Sequence, residues 1–329
     1  MKRIDIAEYG IPNEVAQCVD VEDVGAPNDD EVVFEVLAFP INPADLGFCH
    51  GTYRLRPPLS ATPGAECVGR VTEVGNEVTH VSPGDLVINL QRENWAQKRR
   101  VSGQDAIKIP SDIDLKQAAM LRINPPTAFL MLSDIVALHP GDWIIQNVAN
   151  SAVGRLVIRL AKKKALRTIN ITRRRDVFHD LNALGADVCL EDGPDLADRV
   201  QEATNNAQVR LGLDAIAGDA ASRVAACLSD DATLCIYGGL SGKNPNIAAG
   251  DAINRGINMT GFILGRFMGK KTTQQIHDIY SNLANELLEG HLHAHIDTIY
   301  PIEDIQQALK HAMAAGRHGK ILVTPNGTI

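Results

Sequence analysis

The stretch DWIIQNVANSAVGRLVIRL, residues 142–160, decides the fold. Its opening, DWIIQNV, is a short apolar run of the buried-strand type, and Val153, Leu156, Val157 and Leu160 then recur at the spacing of one helix face. A strand that turns straight into a helix leaves the first helical N–H groups free, which is the geometry a dinucleotide pyrophosphate requires. The glycine-rich turn usual for that purpose is degraded here. Asn150 can take the left-handed conformation of a turn glycine, Ser151 can cap the helix or bond a phosphate, Ala152 is small, and Gly154 permits close helix–sheet contact. Taken alone, the loop Gln146 to Gly154 serves equally as an ordinary strand-to-helix turn.

Toward the C-terminus the alternation continues. TINIT, DVCLE, LGLDAIAG and ATLCIYGG read as four further strands, with DVFHDLNALGA as a helix among them, which predicts a parallel sheet covered on both faces. A long helical stretch, TTQQIHDIYSNLANELLEG, then TIYPIEDIQQALKHAM and a last strand, KILVTP, follow. Toward the N-terminus the texture differs: Val32, Phe34 and Val36 alternate with Val33, Glu35 and Leu37, and CVGRVTEVG and GDLVINL are short β-branched runs between turns. A compact β-barrel-like domain is expected there. Near Ser111-Asp112 helical spacing takes over, in QAAMLRINPPTAFLMLSDIV.

The chain of 329 residues is long enough for two cores. A net charge of −8 argues against a protein that coats nucleic acid, and no run of about 18 apolar residues offers a membrane helix. Cys18, Cys49, Cys67, Cys189, Cys227 and Cys235 are scattered without a CxxC pair, as expected of reduced thiols in the cytoplasm.

At the end of the second strand of the sheet stand Arg173, Arg174 and Arg175, where a site for NAD would place an acidic residue and a site for NADPH needs cations for the 2′-phosphate. The run can be a solvated basic segment. Three arginines at a helix start nevertheless oppose the helix dipole unless an anion sits among them, which favours NADPH.

INPADL, PGAECVGRVTEVG, VSPGDLVI, LGAD and the terminal GKILV, in this order along nearly the whole chain, resemble the medium-chain dehydrogenase/reductase superfamily. INPPTAFLML, QNVANSAVG and TINITRRRD narrow the likeness to its zinc-independent branch of trans-2-enoyl thioester reductases and quinone oxidoreductases, with the former closer. The resemblance implies an α/β architecture: a Rossmann doubly wound parallel sheet plus a GroES-like β-barrel catalytic domain. The domains are expected at residues 1–120 (catalytic) and 121–265 (NADPH-binding), with 266–329 returning to the catalytic domain.

It further implies site residues. Tyr53, in HGTYRLRP, matches the tyrosine that donates a proton in the enoyl reductases; Asn124 matches an asparagine near the nicotinamide. Asn150, Ser151, Ala152 and Val153, with Gly154, match the pyrophosphate loop, and Arg173, Arg174 and Arg175 the 2′-phosphate site. Tyr237, Gly238, Gly239 and Leu240 match the segment beside the nicotinamide ribose, Phe262, Ile263 and Leu264 a cofactor-lining segment, and Lys320 the C-terminal lysine. Ile263 stands where the family has tryptophan, which bears on the shape of the acyl pocket.

No metal is expected, because zinc-dependent relatives carry a cysteine, a histidine and a second cysteine where this chain has Asn42, Ala65 and, near Thr127, no cysteine, and an open zinc site needs about three ligands. Cys49, His50, Glu66 and Cys67 follow no ligand spacing, and His291, His293 and His295 are expected in a loop. The activity implied is NADPH-dependent reduction of the C=C bond of a 2-enoyl thioester, with a quinone or enone reductase as the alternative and a non-catalytic NADPH-binding protein as a third. The expected partners are the small-molecule substrate and a second copy of the chain through edge strands, with neither nucleic acid nor membrane.

Overall fold

The computed structural model describes residues 1–314, 316–317 and 319–329. They form two compact units: the first comprises Met1–Ile123 and Thr272–Ile329, the second Asn124–Lys271.

In the second unit six strands lie parallel, in the order Val188–Glu191, Arg167–Thr172, Trp143–Gln146, Val209–Asp214, Thr233–Ile236, Asn258–Gly261. The order reverses at Trp143–Gln146, the first strand of this unit along the chain. This is the doubly wound arrangement, and ligands of such sheets bind beyond the carboxyl ends of the strands at the reversal point. The strands are short and apolar because both faces are covered: Ile144, Ile145, Leu211, Leu213 and Leu234 have no solvent exposure. The helix Ala152–Lys163 buries Leu156, Val157 and Leu160, as the periodicity of the opening stretch predicts. Helices Phe178–Leu184, Leu196–Thr204 and Asp219–Ala226 follow the successive strands. The core joins Ile145, Ile169 and Val209 of the sheet to Val200 and Val224 of the helices.

The first unit is β-rich. Glu31–Pro40 lies at the centre of a mixed seven-stranded sheet, pairing antiparallel with Val68–Val74, Lys98–Ser102 and Lys320–Thr324. Strand Leu86–Asn89 connects Val68–Val74 to Ala106–Ile109, and Ile296–Pro301 lies parallel to Lys320–Thr324. Among the described residues the hydrogen-bonded path of this sheet is open rather than a closed ring. A separate hairpin pairs Lys2–Ile6 with Ala16–Asp20. Phe34, Phe39, Ile41 and Trp95 fill the core, with the Phe39 and Trp95 rings stacked at 5.7 Å. Helix Thr273–Leu288 packs on Ala106–Ile109 and begins with a capping box in which Thr272 and Gln275 satisfy each other's backbone N–H.

Candidate functional site

Candidate site residues occur in both units. In the second, the polypeptide leaves strand Trp143–Gln146, turns through residues 147–151 and enters helix Ala152–Lys163. Ser151 is the N-cap: its Oγ accepts the Gly154 N–H at 3.1 Å, so the remaining first-turn N–H groups are left facing outward as anion donors. A Cβ on Gly154 would stand 2.6 Å from the Ala149 carbonyl oxygen, so glycine is required for the helix to approach the loop this closely. The close neighbour is the loop backbone at Ala149, where helix–sheet contact was expected. Gln146, fully buried, donates from Nε2 to the Gly154 carbonyl at 2.9 Å and to Asn170 Oδ1 at 2.8 Å, tying helix and sheet together.

The left-handed residue of this turn is Val148, with φ of 51°; Asn150, expected in that role, is not in the left-handed region. The reversal comes soon after the strand, three residues before the cap, so Asn150 is free to be exposed beside Ser151. Ala152 and Val153 form the first helical positions, half-buried.

Sequence reasoning did not find what stiffens the neighbouring loop. Buried Asp214, at the end of its strand, accepts the Ile216 and Ala217 N–H groups at 3.0 and 2.9 Å and the side-chain amide of Asn147. Asn147 Oδ1 in turn accepts the Ala215 N–H at 2.9 Å. The segment Tyr237 to Leu240 lies on this turn: Tyr237 N–H donates to Asp214 O, Leu240 N–H to Ala215 O, and a Cβ on Gly238 would meet Ala215 O at 2.6 Å. Gly239 has open space and Leu240 is exposed. The Tyr237 hydroxyl is buried beside Ser151 without a hydrogen bond of ordinary geometry, and burial pushes its pKa up. A buried hydroxyl at the mouth of a helix N-terminus is a donor with capacity to spare, which fits a phosphate-bearing ligand.

Arg173, Arg174 and Arg175 are exposed after strand Arg167–Thr172. The dipole argument made from the sequence needs correcting: helix Phe178–Leu184 starts later, so the arginines precede its first turn. Arg174 lies 3.4 Å from Asp176 and Arg175 3.0 Å from Glu191, whereas Arg173 has no carboxylate partner among the described residues. Phe262 is buried against Phe267, ring centres 4.6 Å apart; Ile263 is the N-cap of the short helix Leu264–Met268. Asn124 opens helix Asn124–Ser133 and is buried.

In the first unit, helix Pro43–His50 ends at Gly51 in the left-handed conformation, and Tyr53 N–H donates back to Gly47 O at 3.0 Å. The half-buried Tyr53 ring packs on the edge of the core, and among the described residues nothing hydrogen-bonds its hydroxyl. Arg54 and Arg56 beside it are exposed. Cys49 and Cys67 are fully buried, and burial pushes both thiols up to about 12, so they are packing residues and not nucleophiles. His291, His293 and His295 lie in the loop before strand Ile296–Pro301.

Lys320, read as a cofactor residue, is buried at the start of its strand, with Nζ donating to Asn42 Oδ1. Asn42 also donates to Glu66 Oε1 at 2.8 Å. Zinc does not fit this centre: at the first two of the three expected ligand positions, Ala65 has no donor atom and Asn42 is already engaged by an ammonium and a carboxylate.

Comparison with known proteins agrees with both halves. Residues 28–108 match the alcohol dehydrogenase GroES-like domain and residues 152–282 the zinc-binding dehydrogenase model. The mitochondrial enoyl-[acyl-carrier-protein] reductase of Dictyostelium discoideum is 31% identical over 98% of this chain and 94% of its own length. The chain belongs to the medium-chain dehydrogenase/reductase superfamily. The human mitochondrial enoyl-[acyl-carrier-protein] reductase is 32% identical over 98% of this chain and 89% of its own. Among solved structures, a putative NADPH:quinone reductase from Bacillus thuringiensis superposes with a TM-score of 0.92 at 27% identity, covering 98% of both chains. Among the described residues no helix is long and apolar enough to cross a membrane.

Proposed function

We propose that this chain is an NADPH-dependent reductase of the C=C bond of 2-enoyl thioesters. The observation that carries the reading is Tyr53, a phenol held by its backbone and ring while its hydroxyl stays uncommitted. NADPH, when bound, supplies hydride to Cβ of the acyl chain. Tyr53 delivers the proton to Cα, directly or through water, as general acid. The capped loop with Asn150, Ser151, Ala152, Val153 and Gly154 holds the pyrophosphate, and Arg173 and its neighbours hold the 2′-phosphate. Asn124, Tyr237 to Leu240 and Phe262 to Leu264 line the nicotinamide half. Relatives named as enoyl-[acyl-carrier-protein] reductases over 98% of the chain support the substrate class.

The quinone reading is favoured by the Bacillus thuringiensis structure, named for that acceptor. NADPH oxidation with crotonyl-CoA, with a benzoquinone and with neither acceptor separates the readings. Turnover with crotonyl-CoA supports the proposal; turnover with the quinone alone transfers it to the alternative; turnover with neither leaves a cofactor-binding protein.

A homodimer belongs to the same proposal. Strand Asn258–Gly261 bonds only to Thr233–Ile236 among the described residues, and Asn258 and Met259 on it are exposed, leaving an edge for a second copy. The reduced cytoplasm proposed for this chain rests on six free cysteines. Fractionation of cells expressing the full chain decides between that compartment and the mitochondrion of the named relatives.

A further inference from the structure

The first unit contains a buried ionic network that the proposed reaction leaves without a role. Glu66 and Asp45 have no solvent exposure, and Asn42 and Lys320 are nearly as buried. Glu66 uses both oxygens: Oε1 accepts from Asn42 Nδ2 at 2.8 Å and Oε2 from the Ile123 N–H at 2.9 Å. Asp45 accepts the Asn42 and Ala65 N–H groups, each at 2.9 Å, which fixes the backbone on either side of that pair. The residue before Ile123 is tied in independently, and the same Ile123 peptide is held from its carbonyl side. The Arg122 guanidinium donates to the carbonyls of Ala65 and Leu90, and the Tyr280 hydroxyl donates to Arg122 O at 3.0 Å.

Burying two carboxylates, an ammonium and a guanidinium together is costly, and replacing such a group by apolar residues commonly gains stability. Stability alone is therefore a poor reason for the network. Its geometry supplies a better one, because the Glu66 carboxylate reaches out of the network to the Ile123 N–H while the Tyr280 hydroxyl holds the Arg122 carbonyl of the same peptide, the last of the first unit before the chain passes to Asn124.

We propose that Glu66 is a positioning residue: from the centre that replaces the zinc ligands, it holds the Ile123 peptide and so sets the backbone from which Asn124 starts. The part of this that concerns the cofactor rests on the function proposed above for Asn124. The clamp on Ile123 does not. Glu66→Gln tests it with little change of shape. The amide has one acceptor oxygen where the carboxylate has two, and Asn42 cannot turn its own oxygen to the new NH₂ while Lys320 occupies it. One of the two donors, Asn42 Nδ2 or Ile123 N–H, is left unmet.

The experiment compares amide hydrogen exchange at Ile123 with exchange in strand Leu86–Asn89 of the same unit, and measures NADPH affinity by cofactor fluorescence. The expected result for Glu66→Gln is exchange at Ile123 at least tenfold faster, exchange in Leu86–Asn89 unchanged, and NADPH bound roughly five- to tenfold more weakly, a loss of about 1–1.4 kcal/mol. A merely structural role speeds both segments together and overturns the proposal, as does exchange at Ile123 unchanged in both Glu66→Gln and Glu66→Ala, the second of which leaves neither donor an acceptor. Faster exchange with parental NADPH affinity overturns the link to Asn124. Should Glu66→Gln fail to fold, Tyr280→Phe loosens the same peptide from its other side by deleting one oxygen, and the same comparison applies. A parent protein that binds no NADPH defeats the functional reading instead, and the exchange comparison still decides the clamp.

Discussion

The guanidinium carbon of Arg92 stands 5.1 Å from the centre of the Tyr53 ring. The same guanidinium lies 3.8 Å from buried Asp45 and 5.8 Å from the Phe48 ring. The cation thus braces the ring face by an interaction of roughly 0.5–2 kcal/mol that owes nothing to the hydroxyl. Tyr53→Phe keeps the ring and its brace and removes only the hydroxyl. Enoyl-thioester kcat/KM is expected to fall by roughly 10²–10⁴, with NADPH affinity unchanged. Quinone reduction by the same variant is expected to fall far less, because water can protonate a hydroquinone anion. A variant as fast as the parent on the thioester makes Tyr53 a pocket wall.

Cofactor choice is the second expectation. NADPH should bind at least tenfold more tightly than NADH, a difference of about 1.4 kcal/mol. Because Arg174 and Arg175 already face Asp176 and Glu191, Arg173→Ala should narrow this gap more than either neighbour's replacement. Isothermal titration with both cofactors measures it, and equal affinities in the parent defeat the assignment.

Glu66 gives a pH dependence with a definite sign. Burial pushes its carboxyl up from 4.5 to about 7, against the opposing pull of Lys320 and Arg122 and of the hydrogen bonds from Asn42 and Ile123. The folded chain therefore takes up a proton at Glu66 more readily than the unfolded chain, while the carboxylate remains the form that accepts from both Asn42 and Ile123. The stability this contributes is complete below about pH 4.5 and is lost as the pH rises through about 7. Denaturant midpoints measured across that window should fall more steeply in the parent than in Glu66→Gln. Parallel curves would show that Glu66 titrates as it does in the unfolded chain.

Gly154→Ala is a backbone test of the loop. The added methyl would meet the Ala149 carbonyl at 2.6 Å, a contact only main-chain movement relieves. Overpacking of this kind costs about 1–3 kcal/mol, and the movement displaces the donors that Ser151 leaves free. Thermal denaturation and NADPH binding should both worsen. Normal cofactor affinity in this variant would remove the loop from the site.

At the edge strand, Met259→Lys should convert a dimer into a monomer, since a lysine on an open edge discourages a second strand from adding to it. Sedimentation velocity reads the outcome directly; a dimer that survives the charge uses another surface.

Why some of this architecture was legible and some was not follows from the range of the interactions. Leu156, Val157 and Leu160 announce their helix because burial imposes a local period. Strand Asn258–Gly261, NMTG, has no such signature: it is short, largely exposed and held by one neighbour. Val148 was passed over for Asn150 because local preference places a left-handed residue at asparagine, and the strand's own exit decided otherwise. The partnership of Asn42, Glu66 and Lys320 joins residues up to 278 positions apart, beyond any spacing rule. The phosphate loop showed in its strand-to-helix spacing and Tyr53 only through resemblance to a family; Arg92, whose contact with Tyr53 spans a loop and a helix end, carried no local mark.

The chain order of the two units has a consequence for synthesis on the ribosome. Asn124–Lys271 is one uninterrupted segment, complete before the last strand of the first unit, Lys320–Thr324, has been made. Until then the centre of the first unit's sheet has an unoccupied flank at Phe39 and Pro40, and Asn42 and Glu66 lack their buried cation. The nascent protein thus carries a finished nucleotide-type domain and an unfinished partner with an open edge, the stage at which such chains are most exposed to aggregation. Ribosome-bound intermediates stalled before residue 320 should be the ones that chaperones hold longest.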